Sequence, residues 1–105
     1  MTANGARGEV VAVLAGSQRR LCLTLGALAE LEARLQAGDL VGLSERFASG
    51  RVSARDLTAI LGAGLRGAGN AVTDDDLARM SIEGGLKGAA EIAVRLLRAT
   101  FGEAA

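Results

Sequence analysis

The apolar periodicity of this chain changes once, at Thr24. Before that residue, Glu9-Val-Val-Ala-Val-Leu-Ala15 is β-branched and apolar, and Gln18-Arg-Arg-Leu-Cys-Leu-Thr-Leu25 alternates with a period of two. After it, apolar residues recur at the three- and four-residue spacing of a helix face. The period-two block has room for two strands. A lone two-stranded hairpin is marginal in water, so its apolar face must be covered by the helical remainder of the chain. The chain is therefore expected to be α+β: an N-terminal β-hairpin packed on a bundle of four to five short α-helices. Its 105 residues provide one modest core. Residues 9–102 read as a single domain, with flexible ends at 1–8 and 103–105.

Gly16-Ser17 fits a two-residue type II′ turn, with Gly at the first central position. In that register Ala12 pairs with Leu21 and Val10 with Leu23. One face then carries Val10, Ala12, Leu14, Leu21 and Leu23, and the other Val11, Val13, Arg20, Cys22 and Thr24. The first face belongs in the core.

Thr24 is placed to cap a helix running to about Ala37, with Leu28, Leu31 and Leu35 inward and Glu30–Arg34 paired on its surface. Gly38 ends it. A shorter helix follows from Leu40 to Ser49, with Leu40, Leu43 and Phe47 on one side. Val52-Ser53-Ala-Arg-Asp56-Leu57 and Val72-Thr73-Asp-Asp-Asp76-Leu77 share one grammar. Each has a hydroxyl at the N-cap, a carboxylate three residues on, and an apolar staple around them. They start helices over 54–66 and 74–80. The last helix runs from about Leu86 to Phe101, with Ala89, Ala90, Ile92, Ala93, Leu96 and Leu97 on its apolar side. The expected core joins the hairpin face to Leu28, Leu31, Leu35, Leu43, Leu57, Ile60, Leu61, Leu77, Ile92, Leu96 and Leu97. Glycines make 67–71 and 83–86 the expected mobile loops.

What is missing narrows the chemistry. The sequence has no His, Pro, Trp or Tyr and one Cys. Without His there is no Ser-His-Asp or Cys-His nucleophile and no His-bearing zinc site. One Cys closes no internal disulfide. Two Phe are too few for a base-stacking platform. Twelve basic side chains balance twelve acidic ones, so the chain lacks the field that nucleic acid or an anionic membrane calls for. No segment approaches the roughly 18–20 apolar residues of a membrane span. The apolar run from Val10 to Ala15 is too short for a secretory signal and is followed at once by Arg19 and Arg20. The reading is a cytoplasmic, non-enzymatic protein with no cofactor, no metal, no nucleic acid and no membrane partner.

Two motifs resemble chemistry and read better as structure. Gly62-Ala-Gly64-Leu-Arg-Gly67 matches G-x-G-x-x-G, but it ends a helix, whereas a dinucleotide site needs it to follow a strand and open one. Here Gly62 and Gly64 permit close helix packing, and Gly67 stops the helix. Asp74-Asp75-Asp76 lacks the alternating ligands of a calcium loop and reads as a solvated, acidic first turn.

The order of pieces resembles a known family. Gly8-Glu9-Val10, Leu23-Thr-Leu-Gly-Ala-Leu-Ala-Glu-Leu-Glu32, Leu43-Ser-Glu-Arg-Phe47, Ser53-Ala-Arg-Asp-Leu57, Gly62-Ala-Gly-Leu-Arg-Gly67, Ala93-Val-Arg-Leu-Leu97 and Phe101-Gly102 follow one another as in the small phage-tail proteins of gene transfer agents. These are grouped with phage tail assembly chaperones. The resemblance spans about residues 8–102 and brings no catalytic residues. It implies a factor, from a gene transfer agent or prophage, that keeps the helical tape-measure protein soluble during tail assembly. A tail-tube component and a small adaptor domain are the alternatives. The implied partner is a tape-measure or other tail protein, with homo-oligomers also open. The side chains expected to present apolar surface to it are Phe47, Leu65, Met80 and Phe101.

Overall fold

The structure, a computed structural model, describes residues 8–35, residue 49 and residues 53–101. Within them lie β1 (Glu9–Leu14), β2 (Ser17–Cys22), α1 (Leu25–Leu35), α2 (Ala54–Gly67), α3 (Asp74–Ala78) and α4 (Gly85–Phe101). This is the expected α+β order of a hairpin followed by helices. The helix expected from Leu40, with Leu43 and Phe47, lies outside the described residues. So do the Val52 staple, the end of the first helix beyond residue 35, the Leu35 side chain and the two chain ends.

The hairpin turns one residue earlier than expected. Its central residues are Ala15 and Gly16, with φ of 54° and 78°, the two positive values of a type I′ turn. Val10 pairs with Leu21, Ala12 with Arg19 and Leu14 with Ser17. The expected register is therefore corrected by two residues. A shift of two preserves the alternation, so the inward face is unchanged. Val10, Ala12, Leu14, Leu21 and Leu23 are all buried. The early turn also places Leu14 opposite Ile82 in an antiparallel bridge, and the Ala15 N–H donates to Ser81 O at 2.9 Å. The hairpin tip is thereby fastened to the segment entering α4.

Helix α2 occupies the middle of the fold. It packs on α1, β2, α3 and α4, and Leu57 together with every residue from Ala59 to Leu65 is buried. Its glycines explain how so many neighbours fit. A methyl group on Gly64 would stand 2.6 Å from Leu96 Cδ2 and 3.3 Å from Leu21 Cβ. One on Gly67 would collide with the Cys22 carbonyl oxygen, and one on Gly62 with the Asp74 carboxylate. The G-x-G-x-x-G run is thus three separate close approaches, to α4, to the end of β2 and to the start of α3. Gly67 is the last helical residue, and the left-handed residue beyond it is Gly69, at φ 95°.

The caps follow the sequence grammar. Ser53 Oγ accepts from Asp56 N at 3.1 Å. At α3 the box is reciprocal: Thr73 Oγ1 accepts from Asp76 N, and Asp76 Oδ2 accepts from Thr73 N, both at 3.0 Å. Thr24 Oγ1 accepts from Ala27 N at 3.1 Å and starts α1. Asn70 closes the loop after α2: its Nδ2 donates to Arg20 O at 2.9 Å and to Leu65 O at 3.1 Å.

Candidate functional site

Three helix ends meet beside α3. The start of α2 contributes Leu57 and Leu61, α3 contributes Leu77, and the 79–86 segment contributes Met80, Ile82 and Leu86. Together they line an apolar groove of about 230 Å³. Local chemistry fixes its walls. The Ser53 and Thr73 caps set where α2 and α3 begin, the Leu14–Ile82 bridge pins its far side, and Gly84 and Gly85, at φ 86° and 61°, turn the chain into α4. Leu77 is buried at the floor, Met80 is half-buried, and Leu86 is 56% exposed. A leucine this exposed at the rim of an apolar groove is surface that a partner can cover.

Next to this groove, across Thr58 and Ala78, lies an ion cluster. Arg66 Nη1 donates to Asp74 Oδ1 and to Val72 O, each at 3.0 Å, and Arg66 Nη2 donates to Glu30 Oε1. Arg34 reaches Glu30 at 3.6 Å and also pairs with Asp74. Two arginines and two carboxylates from three helices thus balance each other. Burial pulls the Arg66 pKa down, but its hydrogen bonds and attraction to Glu30 and Asp74 outweigh this and hold it above the ordinary arginine value. Asp74 is therefore not the solvated residue expected of an acidic first turn; its side chain is 18% exposed and paired. Among the described residues no group of three or more His, Cys, Asp or Glu is arranged to hold a metal. Also among them, no helix is long and apolar enough to cross a membrane.

The expected partner-facing residues separate. Met80 lies in the groove. Phe101, 39% exposed, sits at the other end of α4, about 22 Å from Leu86 at 1.5 Å rise per residue. Leu65 corrects the expectation of exposure: it has no accessible surface and belongs to the core around α2. Phe47 lies outside the described residues. Sequence reasoning missed Ile82 and Leu86. The period-3.6 count keeps Leu86 on the apolar stripe of α4, three and seven residues before Ala89 and Ala93, so the spacing gave no signal that it is 56% exposed.

Hairpin and helices together define a small α+β domain with an apolar groove beside α3. Residues 7–103 match the family model described as phage tail tube protein, GTA-gp10, and the chain belongs to that family of phage-like tail proteins. Neither the curated proteins nor the solved structures gave a match.

Proposed function

We propose that this chain is a non-enzymatic, cytoplasmic assembly factor for the tail of a gene transfer agent or prophage, holding the tape-measure protein while the tail forms. The observation that carries this reading is the groove beside α3, with Leu86 exposed at its rim, in a member of a tail-protein family. At about 230 Å³ it falls below the roughly 300–1,000 Å³ of a small-molecule site. It suits one or two apolar anchors of an amphipathic helix laid across it. The fold also supports a holding role over a tube subunit. A tube built by stacking sheets into a ring calls for a mostly β subunit, and the strands described here are two of six residues each.

The second reading is a structural tail-tube component, favoured by the family's own description. Leu86→Glu addresses the holding role. Glu is tolerated in the first turn of a helix, so the fold is retained while the rim becomes charged. Co-expressed with the tape-measure protein, the wild-type chain is expected to co-purify with it and the variant to lose it. Equal capture by both would contradict the groove assignment.

A further inference from the structure

The exposed side of α4 carries a pattern that the groove beside α3 does not use. Glu83, Lys87, Glu91 and Arg95 follow at four-residue steps with alternating sign, and all four line a second cavity of about 540 Å³ between β1 and α4. Four-residue steps keep Lys87, Glu91 and Arg95 on one face of α4, and Glu83, in the turn that precedes the helix, lines the same cavity. Lys87 and Glu91 are exposed. Among the described residues, Glu83, Lys87 and Glu91 form no ion pair within the chain. Arg95 Nη2 donates to Val11 O at 3.3 Å, which holds the guanidinium over this cavity. Beside the charges, Val13 is 43% exposed, and Gly88 contributes no side chain.

We infer that this face is a two-fold docking surface for a second copy of the same chain, with the two α4 helices antiparallel. An alternating stripe of four charges is its own complement when reversed. With the axis beside Ala89, Glu83 faces the partner's Arg95 and Lys87 faces the partner's Glu91, and the symmetry makes each pair twice. Moving the axis to Lys87 sets Lys87 on itself and Glu83 on Glu91. Moving it to Glu91 sets Glu91 on itself and Lys87 on Arg95. A parallel, in-register copy sets every charge on its own kind. The stripe therefore favours the antiparallel orientation and the register beside Ala89 that makes the most pairs, since an axis at Ala93 keeps only the Glu91–Arg95 pairs. Val13, 43% exposed, supplies apolar contact at the edge. The contact is a small one, held in part by charge, so it weakens with salt.

The test is sedimentation equilibrium of the full chain over a range of concentrations in low and high salt. It is repeated for Lys87→Glu, for Glu91→Lys and for their equimolar mixture. The wild-type chain is expected to dimerise in low salt and to dissociate as salt rises. Each variant alone turns two attractive pairs into repulsive ones, so its dimer dissociation constant should rise by about tenfold or more. In the mixture every cross-pair is attractive again, so a heterodimer should return to near wild-type affinity. The inference is overturned by a single monomer mass for the wild-type chain at all concentrations, as when another molecule occupies this face. It is equally overturned if the variants dimerise like the wild type, or if mixing restores nothing.

Discussion

Gly64 of α2 lies directly against Leu96 of α4, with 2.6 Å between the Leu96 methyl and the place where a Gly64 side chain would begin. Leu96 has no accessible surface, so it cannot swing outward. In an exposed helix, Gly→Ala stabilises by about 0.5–1 kcal/mol. At Gly64 the sign reverses: Ala overpacks the core and should cost about 1–3 kcal/mol. Gly26 is the internal control. It is exposed in α1, and a methyl there meets only Thr24 Oγ1 at 3.8 Å. Urea denaturation should show Gly64→Ala less stable and Gly26→Ala more stable than wild type.

The Arg66 network is expected to behave as a unit. Its side chains are 18–46% exposed, between a surface pair and a buried one. Arg66→Ala leaves Glu30 and Asp74 with Arg34 alone and should cost about 1–2 kcal/mol. A double-mutant cycle between Arg66→Ala and Asp74→Ala should show coupling between the two sites. Strict additivity would show that the cluster is ornamental to stability.

Ala15 is the one described non-glycine residue with positive φ. The left-handed region costs an alanine about 1–2 kcal/mol, and Asn tolerates it better. Ala15→Asn makes the turn Asn-Gly, the preferred pair for type I′. Thermal unfolding should show a gain of about 0.5–1 kcal/mol. A loss would argue for the later turn at Gly16-Ser17.

Acid should weaken the start of α3. The Asp76 carboxylate accepts from the Thr73 N–H and interacts with the Thr73 hydroxyl, which hold its pKa below the ordinary aspartate value. A group with a depressed folded pKa adds stability above its unfolded pKa, near 3.9, and loses it as pH falls through the folded value. Asp76→Asn should therefore be less stable than wild type at pH 7. The difference should shrink as pH drops below about 4. A difference that stays constant with pH would remove the charge from the account of the cap.

The parts of this fold set by neighbours in sequence were legible, and the parts set across the fold were not. The inward face of the hairpin could be read because alternation survives a two-residue slip; the turn itself could not, because Ala15 gives no sign that it takes a positive φ. The Ser53 and Thr73 caps were readable from four-residue patterns. Leu65 was misjudged because a surface helix has an outward side, whereas α2 is surrounded where Leu65 sits. Glu30 and Arg66 are 36 residues apart, and only the packing of α1 on α2 joins them. The groove was half legible: Met80 stood out as apolar, but Ile82 needed the bridge to Leu14 before it had a wall to form.

The most direct test of the assembly role is a tagged pull-down from the native host, with mass spectrometry of the captured proteins and of purified phage-like particles. The account predicts that the chain captures the tape-measure protein and is missing from finished particles. Abundant chain in the particles, without tape-measure capture from the cell, would contradict it and make the protein a structural part of the tail.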